Sequence, residues 1–223
     1  MRLTVIIPNL GKINGFKEIK QLNQINKQFK LTKKMANIKW SLDPTHSEIS
    51  FKVKHLMIST VTGHFNNFNL DVETEKDDFS NAKKIEFSAD IDSIDTNNAQ
   101  RDGHLKSADF FNVEKFPELF FSGKKFELKG DDSKLAGDLT IAGITKPLTL
   151  NIEFGGIAVD PYGQTKAGFT VTGKISRKEF GITWGAVTEA GNVVLSDDIK
   201  INAEIQLVKQ VKQAVKENEL SEA

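Results

Sequence analysis

Between Trp40 and Leu207 apolar and polar residues alternate with a period of two, the pattern of strands buried on one face and wet on the other. Ile49, Phe51, Val53 and His55 share one face of the first clear segment, and Ser50, Lys52 and Lys54 share the other. Leu56, Met57 and Ile58 break the alternation and predict a turn. Val61, Gly63 and Phe65 resume it, and a phase shift at Asn66-Asn67 brings in Phe68, Leu70 and Val72, as a β-bulge would. Further strands follow around Phe87 and Ala89, Phe121 and Phe126, Leu139, Ile152, Val171 and Ile201. Turn-sized links separate them: Glu75–Asn81, read as a charged loop, Gly130–Ser133, Gly143–Lys146, Asp160–Gly163 and a Gly-rich loop over Gly181–Gly191.

About eight short strands at even spacing, with no long helix between them, predict an all-β fold, a sandwich or an up-and-down antiparallel barrel. Glycines inside strands at Gly63, Gly137, Gly168 and Gly173 mark bends or close approaches, as barrel corners need. The stretch Ser93–Phe111 departs from the pattern: it crowds Asp, Asn, Arg and His together and ends in a Phe pair. Asp95 or Thr96 is placed to cap a short helix over Asn98–Leu105. This connection is long enough to fold over a barrel end, with Phe110 and Phe111 as a plug, so it reads as a lid.

Composition bears on what the barrel holds. There are 16 Phe against 1 Tyr and 2 Trp, a bias toward aromatic rings without polar handles that suits a dry interior or an apolar cavity. Absence of cysteine excludes disulfides, thiolate metal sites and Cys nucleophiles. Eight of the 30 Lys and Arg residues lie in 1–34 with only Glu18 opposing them, which leaves the rest of the chain mildly acidic and argues against nucleic acid binding. Residues 1–37 read as a basic leader outside the domain, without a signal-peptide core or a membrane span; a start at Met35 predicts a cytoplasmic protein, with the periplasm as the alternative. Residues 38–207 form the domain, and 208–223 read as a charged tail or short helix whose stripe of Val208, Val211 and Val215 would suit a homodimer contact.

Candidate chemistry is sparse. No two of His46, His55, His64 and His104 stand at a metal-ligand spacing; His55 and His64 flank a hairpin and are placed to face each other, an incomplete site at most. Arg101, Asp102 and His104 would make a charge-oriented base, with Ser93 and Ser107 nearby, but no nucleophile elbow is present. The expectation is therefore a Phe-lined barrel with no reaction centre, no cofactor and no metal. Phe51, Val53, Phe65, Phe87, Ile91, Phe121, Leu139, Ile141, Leu150, Ile152, Phe169, Val171, Ile201 and Ile205 are expected to line the interior, and His55, Arg101, Asp102 and His104 to stand at the mouth by a ligand headgroup. The alternatives are a hydrolase of small hydrophobic esters using the Arg101–His104 cluster, and a ligand-free scaffold.

Several runs together resemble the YceI-like family: Trp40-x-Leu-Asp-Pro-x-His46-Ser, Phe51-x-Val-Lys-His55-Leu-Met, Ser93-Ile-Asp-Thr96, Arg101-Asp-x-His104-Leu, Gly143-x-Thr-Lys-Pro147 and Ile175-x-Arg177-x-x-Phe180-Gly181. The resemblance spans about Trp40–Leu207. It implies a lipocalin-like, eight-stranded antiparallel barrel that holds a long apolar chain, such as a polyisoprenoid, an isoprenoid quinone or a fatty amide, without catalysis.

Overall fold

The computed structural model describes residues 37–76, 79, 82–130, 132–185 and 194–210, together with Lys20 and Gln24. Expectations for the rest of the leader and for 211–223 lie outside the described residues. The strands are β1 (Ile38–Leu42), β2 (Glu48–His55), β3 (Ser59–Phe65), β4 (Phe68–Thr74), β5 (Ala82–Asp90), β6 (Ile94–Asp95), β7 (Glu118–Glu127), β8 (Lys134–Ile141), β9 (Ile144–Val159), β10 (Thr165–Ser176) and β11 (Leu195–Lys209). The helix α1 spans Ala99–Lys106.

Eleven strand segments form one sheet, and every neighbouring pair is antiparallel. Three breaks account for the excess over eight. A corner at Asp43–Ser47 divides β1 from β2, Asn66-Asn67 divides β3 from β4, and a 3-10 turn over Ile91–Ser93 divides β5 from β6. The 15-residue β11 closes the ring: Ile199–Glu204 pair with β2, and Leu207–Lys209 pair with β1. The described residues from Ile38 to Lys209 thus form a closed, eight-stranded antiparallel barrel that carries the short helix α1, and closure leaves no long edge unpaired.

The phase shift at Asn66-Asn67 is real. Both amides turn to the next break, Asn66 donating to the Ser93 carbonyl at 3.1 Å and Asn67 to Ser93 Oγ at 3.0 Å. The strand glycines earn their places by crowding. A Cβ on Gly63 would stand 2.3 Å from the Phe51 ring, and one on Gly173 would stand 2.5 Å from Leu150. Gly168 instead sits at a bulge, where register shifts between Gly168 and Phe169 opposite Gly155 and Gly156.

Two apolar clusters fill the barrel unequally. The larger surrounds Phe65, Phe121, Leu139 and Ile152 and runs up to Phe110 and Phe180. The smaller closes the other end around Trp40, Val72 and Leu207. Here the sequence misled: Phe79, in the supposedly charged loop, is 2% exposed and packs tilted against Trp40 (4.5 Å between ring centroids) and edge-on to Phe169 (5.0 Å). Apolar burial outweighs its polar neighbours, and Phe79 plugs that end. Val208 is also corrected; it continues β11, opposite Ser41 and Lys166, rather than opening a helix.

Candidate functional site

Three apolar spaces are stacked along the barrel interior. The widest, about 470 Å³, lies at the α1 end. Below it is a chamber of about 180 Å³, and at the Phe79 end a space of about 60 Å³. Phe51 and Ile199 belong to the walls of both the wide space and the chamber; Leu70, Ile85, Leu135, Val171 and Ile205 belong to those of the chamber and the lowest space. Neighbouring spaces therefore share side chains in their walls. The chamber wall carries one polar residue, Ser50, whose hydroxyl is turned to the Asn202 carbonyl.

Strand alternation puts these side chains inside. Phe51, Val53 and His55 line the mouth from β2; Phe65, Phe87, Phe121, Leu139, Ile141, Leu150 and Ile201 surround the chamber; Ile152 and Phe169 line the lowest space; Val171 and Ile205 reach both. Two expected positions fall elsewhere. Ile91 is buried in the larger core cluster but lies outside the walls of the three spaces, its amide donating to the Pro117 carbonyl, because the chain has already turned out of β5. Asp102 does not face the mouth; its carboxylate accepts from the Thr96 amide (2.9 Å) and hydroxyl (2.5 Å).

The mouth is built by α1 and the segments around it. Asn98 caps the helix, accepting from the Arg101 amide at 2.9 Å, whereas the Asp95 carboxylate serves the Asn97 amide. Asp95 and Thr96 were the expected caps; both are committed elsewhere. Arg101 donates through Nε to Thr96 Oγ1 and through its terminal nitrogen to the Thr96 carbonyl, each at 2.7 Å. Arg101, Thr96 and Asp102 thus form one knot that ties α1 to β6. His104 belongs to a second group. Its Nε2 meets Asp109 at 3.1 Å, and its ring packs edge-on to Phe110 and Trp184 at 5.0 and 5.1 Å.

These two groups do not assemble a nucleophile and base. Ser93 donates to the Asp90 carbonyl and Ser107 to the His104 carbonyl, so neither hydroxyl meets the imidazole. His55 and His64 stand at opposite ends of the β2–β3 hairpin, His55 opposite Ser59 and His64 opposite Ser50, so they do not face each other. Among the described residues no group of three or more metal-ligating side chains converges.

Phe110, expected as part of a plug, stands in the mouth wall, whereas Arg177 and Trp184 had no expected role there, though Arg177 lay inside a quoted motif. Arg177 is 5% exposed and donates to the carbonyls of Ile182, Trp184, Leu195 and Ser196. Burial pushes its guanidinium below the ordinary range, against the nearby Asp197 charge. Carbonyl ligation lets one buried cation hold the Trp184 segment against the start of β11. Only its place two residues after the end of β10's apolar run hinted at this.

The family model of the YceI-like domain matches residues 40–207. A UPF0312 protein of Staphylococcus aureus strain USA300 is 41% identical over 167 residues, covering 74% of this chain and 94% of that relative. The crystal structure of the Campylobacter jejuni YceI protein is 35% identical, with a TM-score of 0.61 over 76% of this chain and 97% of its own. A structure described as a polyisoprenoid binding domain from Saccharophagus degradans shares the fold at 14% identity, with a TM-score of 0.54 over 77% of this chain and 98% of its own. With the domain matched from Trp40 to Leu207 and a solved YceI protein superposing on the same barrel, this chain belongs to the YceI-like family.

Proposed function

We propose that this protein is a non-catalytic carrier for a long, apolar molecule: a polyisoprenoid, an isoprenoid quinone or a fatty amide. One observation carries this proposal above the others: the stack of apolar spaces in a closed barrel, open at the lid end and plugged by Phe79 at the other. Alternating strand positions make such an interior tubular, and a tube suits a linear chain. Phe51 and Ile199 stand between mouth and chamber, and Val171 and Ile205 between the chamber and the plugged end. The polar end of the ligand lies at the mouth, by Arg101, His104 and Trp184, where donors and aromatic faces meet. The polyisoprenoid-binding description of the Saccharophagus degradans domain adds a fold-level analogy only. No observation favours ester hydrolysis, since Ser93 and Ser107 are committed to backbone carbonyls.

Uptake of an isoprenoid quinone by detergent-free protein tests this. Phe169→Arg sets a charge among apolar rings and should reduce uptake. Val171→Phe is the companion variant, because it fills empty volume with apolar atoms and leaves the fold as stable or more so. Loss of uptake in folded Val171→Phe is the expected result. Unchanged uptake in both folded variants would place the ligand outside the barrel.

A further inference from the structure

We infer that the tip of the β2–β3 hairpin docks the cavity mouth onto an anionic lipid surface; this rests on the carrier function proposed above and adds where the cargo is exchanged. The tip is Leu56-Met57-Ile58, between the paired residues His55 and Ser59. Leu56 and Met57 both have left-handed backbone, with φ of 51° and 61°. Turns of this kind favour Asn and Gly, which adopt it without strain. This chain sets two bulky apolar residues there, then exposes Met57 by 61% and Ile58 by 84%. Backbone preference does not reward that choice, and burial within this chain does not reward it at Met57 or Ile58. An apolar medium outside the protein would.

The tip adjoins the cavity. Val53 and His55 on one side of it and Val61 on the other belong to the mouth wall, so the tip stands at the rim of the cavity. A row of cations stands behind it. Lys52 lies directly opposite Lys200 on β11, and Lys200 directly opposite Lys174 on β10, all three exposed on the outer face. Like charges directly opposite destabilise a sheet. Lys174 is relieved by Asp198 at 3.1 Å; among the described residues no carboxylate pairs with Lys52, Lys54 or Lys200. At about 3.3 Å per residue, Lys54 and Lys52 trail Leu56 by roughly 7 and 13 Å. A tip buried about 5–10 Å into the headgroup and acyl boundary would hold those lysines at the level of lipid phosphates. The same unpaired lysines oppose a second copy of the chain meeting tip to tip, since a two-fold contact would bring like charges together.

Vesicle sedimentation tests the inference. The full chain should pellet with vesicles of phosphatidylcholine and phosphatidylglycerol in equal parts, less with phosphatidylcholine alone, and less as salt is raised. Leu56→Asn combined with Met57→Gly installs the residues this turn prefers, so it should keep or raise thermal stability while losing vesicle binding. Lys52→Ala should weaken binding about fivefold. Wild-type protein that stays in the supernatant overturns the inference, as does equal pelleting by the folded tip variant. Tip substitutions that instead dissolve a homodimer in lipid-free buffer would also overturn it, by making the tip a contact between copies. Chain that pellets through the tip yet takes up no quinone would defeat the carrier function and leave the docking; chain that takes up quinone but ignores vesicles would do the reverse.

Discussion

Phe79 shows what a single residue does here that local pattern could not announce. Its neighbours are polar, and a period of two says nothing about a loop residue that folds back. Yet it packs on Trp40, Phe154 and Phe169 and shuts one end of the barrel. Phe79→Ala should cost roughly 3–5 kcal/mol by urea denaturation. A loss below about 1 kcal/mol would mean that the end collapses to fill the space. Gly63 lies at the legible extreme. A glycine within an alternating strand signals close approach, and its Cβ would meet the Phe51 ring at 2.3 Å and Thr96 Cγ2 at 2.8 Å. Gly63→Ala should destabilise by about 1–3 kcal/mol through overpacking, and it should displace the ring that stands between mouth and chamber. Arg177 was unreadable for a different reason: its partners are backbone carbonyls, which leave no trace in side-chain pattern.

At the scale of elements, the strands, the helix and turns such as Leu56–Ile58 and Asp160–Gly163 were visible in sequence, and the helix cap and the β1–β2 corner were not. The lid helix was expected within one residue of where it lies, but Asn98 caps it, because Asp95 and Thr96 are drawn into their own turn and into the Arg101 knot. Asn98→Ala should cost about 1 kcal/mol in thermal or denaturant unfolding. The β1–β2 corner depends on Asp43, which binds Lys166 at 2.6 Å and also accepts from Thr45 and Gln206, with His46 at 3.1 Å. The Lys166 ammonium, with these further bonds, holds the Asp43 carboxyl well below the usual carboxylate range despite burial. A depressed carboxylate stabilises the fold fully above its unfolded value of about 4 and loses that contribution as pH falls below it. Asp43→Asn should therefore be less stable than wild type at neutral pH, and the gap should narrow as pH drops below about 4. A gap independent of pH would assign the loss to packing.

The whole molecule was legible as a class because alternation and even spacing survive in every strand. What sequence could not say is how the ring closes. β11 reaches two partners only because the chain breaks at Asp43–Ser47, and no periodicity marks which strand meets which. Nor could it sort wall from filler, as Ile91 shows: it sits in phase with Phe87 and Ala89, but the 3-10 turn begins there and it packs into the core outside the walls of the three spaces. The proposed carrier function requires cargo in the remaining interior space. Native mass spectrometry of the full chain, purified without detergent, tests it most directly. A carrier should fly with a mass increment that organic solvent releases and that is identified as a long apolar lipid. A chain that flies at its bare mass in every preparation, and stays at that mass after incubation with an isoprenoid quinone and a fatty amide, would contradict it.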